Sequence, residues 1–185
     1  MYFSTSQCKE ENKNQIWART LSETYFPLSA DCHNPTEFSG TLNSWSLGML
    51  GLSEMECDGV IYHRRRSHFT NEKDSSLLIT IPHKGDVYFK QASRETKCNP
   101  GRFLVERGDT PYEFWHGKRN KLWVLKVPTA SVRARLGAIN RLGALTFDTT
   151  NGVGLYFIGA VRNTIECANQ INDVGRHTEG DVLGQ

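Results

Sequence analysis

From residue 37 to residue 127 turn clusters cut the chain into runs too short for a crossover helix. That constrains the fold more than any other feature. Parallel strands need a connection of a dozen residues or more, usually helical, whereas antiparallel strands close through tight turns. The runs are rich in β-branched and aromatic residues and fall near 37–43, 45–57, 59–66, 76–82, 86–91, 95–98, 102–107, 112–116 and 121–127. The stretch NPGRFLVERGDTPYEFWHG, residues 99–117, is typical: a Pro-Gly turn, a short run, a second turn, then an aromatic run. Many short strands without helices between them predict a sandwich or closed barrel.

Helical spacing occurs only outside this region. Trp17, Leu21 and Tyr25 recur every fourth residue, and Pro27 ends that segment. After Pro128, the residues Val132, Leu136, Ile139 and Leu142 predict a helix over 129–142. A second helix is expected over 152–174, with Asp148, Thr149 and Thr150 as N-cap choices and Gly175 as its stop. Phe157, Val161, Ile165, Ala168 and Ile171 form its apolar stripe. Such a stripe must be buried, against the barrel or against a second copy of itself.

The expected organisation is therefore a polar, frayed leader at 1–14 and a barrel with its N-terminal helix at 15–128. A helical dimerisation region follows at 129–175, then a linker-like tail at 176–185. The chain has 185 residues, enough for one domain with a real core. No apolar run approaches the roughly 20 residues that span a bilayer, and the N-terminus lacks the pattern of a secretory signal. Five scattered cysteines, never spaced as CxxC, read as reduced thiols of a cytoplasmic protein. A net charge of +2 gives no electrostatic excess that would mark nucleic-acid binding by this chain.

Catalytic signals are missing. The histidines at 33, 63, 68, 83, 116 and 177 include no HxH pair, and Tyr112 stands where a metal-using barrel would want a ligand. No GxSxG motif, activated cysteine or phosphate-binding glycine loop occurs. The expectation is a protein without catalytic residues, metal or cofactor; the alternative is a stand-alone, metal-dependent barrel enzyme.

Binding signals are stronger. Period-two alternation turns Tyr112 and Phe114 inward and Glu113 and Trp115 outward. Tyr62, Arg64 and Arg66 share one strand face. A buried arginine must be paired, and an anionic ligand is one way to pair it; a solvated arginine or a surface ion pair is the other. Trp123 is read as an inward aromatic, either ligand wall or plain core.

In order and spacing, IWARTLSETYFPL, FSGTLNSWSLGMLGLSEMEC, the basic run ending RRRS, LLITIPHKGDVYFKQASRETKCNPGRFLVERGDTPYEF and LWVLKVP resemble the N-terminal sensory domain of AraC-type transcription regulators. The likeness is to the group with an XylS-like binding domain, over residues 15 to about 175. It implies a mainly β, cupin-like double-stranded β-helix (a jelly-roll barrel) that holds a small effector without metal. By the same resemblance, effector contacts fall on or near Arg66, on Tyr112, Phe114 and Trp123, and on Leu78 and Thr80. Arg64 joins them by parity. The resemblance also implies a homodimer through helix 152–174, at Phe157, Val161, Ile165 and Ala168. Contact with DNA would be made only through a C-terminal helix-turn-helix domain that this chain does not contain. Taken together, the expected interior is hollow and aromatic with a cationic patch, suited to an aromatic or carboxylated metabolite. A barrel packed solid and serving only assembly is the remaining alternative.

Overall fold

Tight turns and alternating apolar residues produce two antiparallel sheets. In chain order the elements are β1 (Tyr2–Ser4), α1 (Lys13–Thr24), β2 (Ser29–Cys32), β3 (Gly40–Leu47), β4 (Leu50–Cys57), β5 (Val60–Arg64), β6 (Ser76–Pro82) and β7 (Val87–Gln91). They continue with β8 (Arg94–Cys98), β9 (Arg102–Arg107), β10 (Tyr112–His116), β11 (Asn120–Pro128), α2 (Thr129–Leu136), β12 (Leu145–Asp148) and α3 (Gly152–Leu183). This computed structural model describes residues 1–9, 13–32, 34–69, 76–136 and 139–183, with side chains described at these positions except 134–136, 140 and 171–183. His33 and the side chains of Leu136, Ile171 and His177 therefore lie outside the described residues.

One sheet has seven strands in the order β1-β3-β4-β11-β6-β9-β12, and the other has five in the order β2-β5-β10-β7-β8. They face each other as a cupin-like jelly roll. The inner face is set by parity: Leu42 on β3, Met55 on β4, Tyr62 on β5, Leu78 on β6, Phe89 on β7, Leu104 on β9, Phe114 on β10 and Leu122 on β11 all join one buried cluster. α1 contributes Trp17 and Leu21 to that same cluster, followed by Tyr25 and Phe26. Glycine at position 40 is what lets α1 come so close, because a Cβ there would lie 3.0 Å from the Trp17 ring. A second apolar cluster joins Leu77 and Val105, the outward residues of β6 and β9, to Ile139, with Val132 and Leu142 packed against it.

Several expected boundaries move. The leader is not frayed at its start: β1 pairs with β3, and the amino group of Met1 donates to Ser44 O at 2.7 Å. A three-residue strand is too short to show a period, yet it caps the open edge of β3. α1 begins at Lys13, and the chain after Pro128 returns to the seven-stranded sheet as β12, so the barrel does not end at residue 128. The 129–142 helix is α2 followed by a separate 3-10 turn at Ile139–Arg141. α3 runs through Gly175 to Leu183, where a stop and a linker were expected. Interior glycine weakens a helix by about 1 kcal/mol without necessarily ending it.

The chain divides into two compact units, residues 1–147 and 148–185. Within the second, Asp148 holds the turn before α3: its Oδ1 accepts from Thr150 N at 2.7 Å and its Oδ2 from Asn151 Nδ2 at 3.0 Å. Phe157, Val161, Ile165 and Ala168 follow as one stripe of α3, in which Val161 and Ile165 are already buried within the single chain, whereas Val153, Leu155 and Tyr156 of the same helix are exposed.

Candidate functional site

Inside the barrel lies a cavity of about 30 Å³, room for on the order of one water molecule. Its lid comes from Leu21, Tyr25 and Leu28, on α1 and the segment after it. Its walls are Met55, Tyr62, Leu78, Thr80, Glu106, Tyr112, Phe114, Leu122 and Val124, drawn from both sheets. The interior is thus closely packed where a hollow one was expected, because the rings and aliphatic chains of residues 17–28 enter it.

Most of the lining is apolar, with polar groups gathered at one pole. Glu106 projects inward from β9 beside Leu104, is only 3% exposed, and accepts from Thr80 Oγ1 at 2.5 Å. Burial pushes its carboxyl up to about 8, against the smaller lowering effect of the Thr80 bond. At neutral pH Glu106 is therefore mainly an uncharged acid. Tyr25 OH lies 2.5 Å from Ser53 Oγ, and burial raises both its phenol and that of Tyr112. The Tyr112 ring packs 5.2 Å from Phe89 and 6.2 Å from Phe26, while its hydroxyl has no hydrogen-bond partner among the described residues.

A second polar chain runs along the barrel. Trp17 Nε1 donates to Tyr62 OH at 2.9 Å, tying α1 to β5. Tyr62 OH is 3.5 Å from Cys57 Sγ, which is 3.6 Å from His116 Nε2. His116 Nδ1 lies 2.7 Å from the Lys118 carbonyl, so Nδ1 carries the proton and Nε2 accepts. Burial pushes the Cys57 thiol up to about 12 and the His116 imidazole down, so the pair is neutral and supplies no thiolate nucleophile. Among the described residues no group of three or more His, Cys, Asp or Glu side chains is placed to hold a metal ion.

The expected effector residues fall at two places, and Tyr112 borders both. Leu78, Thr80, Tyr112 and Phe114 line the cavity together. Arg64, Arg66 and Trp123 do not. Arg64 is 1% exposed, but its Nε donates to Gly108 O and its Nη1 to Pro27 O, each at 2.6 Å. Its guanidinium also lies 4.2 Å from the Phe26 ring centre and 4.3 Å from that of Phe69. Those two turn carbonyls have no strand to pair with, and the arginine satisfies them. Gly108 must be glycine here, since a Cβ would meet Phe26 at 2.5 Å and Ser76 O at 2.9 Å.

Arg66 lies beyond the end of β5, in an exposed 3-10 turn at Arg66–His68, where strand parity no longer applies. With Arg64, Arg65, His63, Lys90, Tyr112 and Glu113 it lines a wide outer groove of about 520 Å³. Trp123 faces outward: Leu122 and Val124 take the inner positions of β11. The Trp123 indole donates to Glu54 Oε2 at 2.9 Å, and its ring centre lies 3.8 Å from that of His83. The basic residues thus border the outer groove and are absent from the lining of the inner cavity.

Sequence reasoning missed Glu106, Tyr25, Tyr62 and Met55 as lining residues. For Glu106 a signal existed, because in RFLVER it shares parity with Leu104. A charge at the end of a short strand reads as solvated unless the packing is known.

The family model for the AraC-binding-like domain matches residues 17–179. The chain belongs to that family. As an AraC-binding-like domain it is a regulatory, effector-binding unit. The AraC-like transcriptional activator CuxR superposes with a TM-score of 0.77, at 13% identity, over 90% of this chain and 60% of that one. The "uncharacterized protein in nit 5'region" of Bacillus sp. (strain OxB-1) is 24% identical over 141 residues, 76% of this chain and 55% of that protein. The chain thus spans a little over half the length of the relatives it matches. The Clostridium difficile EutQ protein overlaps partially, with a TM-score of 0.40 and 12% identity over 53% of this chain and 74% of that one. Among the described residues no helix is long and apolar enough to cross a membrane.

Proposed function

We propose that this AraC-binding-like domain senses a small molecule inside its barrel and passes the signal to helix-turn-helix domains that bind DNA in the cytoplasm. The observation that carries this reading is the cavity itself: an apolar chamber with buried Glu106 and Tyr112 at one pole, under a lid of Leu21, Tyr25 and Leu28. Assembly alone would not call for a carboxylic acid in the core, since a buried polar group costs free energy unless it is well bonded.

An effector larger than water displaces Leu21, Tyr25 and Leu28, because a free volume of about 30 Å³ does not accommodate it. Displacement alters α1 and its bond from Trp17 to Tyr62. The ligand then shifts the protein toward the arrangement it binds better. A homodimer joined through α3 would carry that shift to a partner copy.

The test is a thermal-melting screen of the purified domain against a metabolite library, repeated on Phe114→Ala. Compounds that raise the melting temperature of the wild type and not of Phe114→Ala support the reading. Hits that survive the substitution unchanged place binding elsewhere and refute it.

A further inference from the structure

We propose that the barrel selects an uncharged ligand, a small apolar molecule with one neutral polar head such as a primary amide or alcohol, and seats that head between Glu106 and Tyr112. This rests on the reading of the barrel interior as the effector site.

Three observations lead to it. First, Glu106 is 3% exposed and lines the cavity, and among the described residues its only hydrogen bond is the one Thr80 donates to Oε1, so Oε2 has no protein donor. Second, Tyr112 lines the same cavity, its hydroxyl near enough to Glu106 to feel its charge and without a hydrogen-bond partner among the described residues. Third, no lysine, arginine or histidine stands among the lining residues described. The nearby guanidinium of Arg64 is engaged by the carbonyls of Gly108 and Pro27 and by the rings of Phe26 and Phe69.

Charge decides the ligand class. An anionic head would meet no basic side chain among the lining residues and a carboxyl already at the pole, and the Arg64 guanidinium is held by the Gly108 and Pro27 carbonyls, so most of its desolvation would go uncompensated. A cationic head would have to ionise Glu106, and once the Glu106 carboxylate and the Tyr112 hydroxyl had each accepted one N–H, its third N–H would face a lining dominated by Met55, Leu78, Phe114, Leu122 and Val124, none of which accepts a strong hydrogen bond. A neutral head meets neither cost. Glu106 is mainly protonated at neutral pH, since burial raises its carboxyl to about 8. It then offers one O–H donor, and Tyr112 offers another with an acceptor, which an amide or hydroxyl can satisfy together.

Matched triples on the same short alkyl and phenylalkyl bodies, ending in a primary amide, a carboxylate or an ammonium group, distinguish the alternatives by calorimetry at neutral pH. The amide is expected to bind, with its carboxylate and ammonium counterparts at least about tenfold weaker. Glu106→Gln keeps a donor and an acceptor and should bind the amide within a few-fold of wild type. Glu106→Leu, which needs no buried bond and should fold, is expected to lose at least about tenfold. Tighter binding of the carboxylate or ammonium form, or unchanged amide binding in Glu106→Leu, overturns the proposal and leaves effector sensing standing. Absence of heat for every body in every charge state contradicts effector sensing itself.

Discussion

The Thr80 hydroxyl donates to Glu106 Oε1 across 2.5 Å, joining β6 to β9 at the polar pole of the cavity. Burial outweighs the lowering effect of this bond, so the carboxyl binds its proton more tightly folded than unfolded, moving from 4.5 to about 8. The linkage has a definite sign: the folded state holds the extra proton, so stability is fully present below about 4.5 and is lost as pH rises through about 8. Glu106→Gln should remove that decline. Urea unfolding of both proteins across this range measures it, and the difference should be a few kcal/mol at most. Parallel curves would mean that Glu106 titrates normally.

Arg64 serves the fold. Arg64→Met leaves the carbonyls of Pro27 and Gly108 without their donors and should cost about 3 kcal/mol in urea unfolding. Arg66→Ala, in an exposed turn, should stay within about 0.5 kcal/mol of wild type. Equal effects from the two would contradict these assignments.

Tyr112 and Trp123 stand on opposite sides of the barrel wall, so their variants should behave differently toward an effector. Tyr112→Phe removes a hydroxyl from the cavity and should weaken binding about tenfold. Trp123→Phe breaks the bond to Glu54 and trims the packing on His83, both outside the cavity lining, and should leave affinity unchanged. Calorimetry with any hit from the melting screen reads both.

The antiparallel barrel was legible in the sequence because its strands carry period-two apolar patterns between strong turns. Leu78 and Thr80, named through the resemblance, and Tyr112 and Phe114, named through parity as well, do line the cavity. Trp123 was misread because β11 is apolar at consecutive positions, Leu122, Trp123, Val124 and Leu125, which leaves two solutions to the alternation. Arg64 sits on the buried face of β5 as parity requires, but its partners are backbone carbonyls from distant turns, which no local pattern reveals. The short strands β1, β2 and β12 escaped for the same reason, since their pairing partners are remote in sequence.

Phe157→Asp tests the proposed seam on α3. Sedimentation should find the variant monomeric at concentrations where the wild type is dimeric, with unfolding of the barrel little changed. A dimer that survives would assign association to another surface.

The central claim is that the polar pole of the barrel receives the effector. A crystal structure of the domain soaked with the tightest-binding compound from the calorimetric series tests this most directly. Ligand density within hydrogen-bond reach of both the Glu106 carboxyl and the Tyr112 hydroxyl, with Tyr25 and Leu28 displaced, is the result expected. Density confined to the outer groove beside Arg65 and Arg66, over an unchanged barrel interior, would contradict the account.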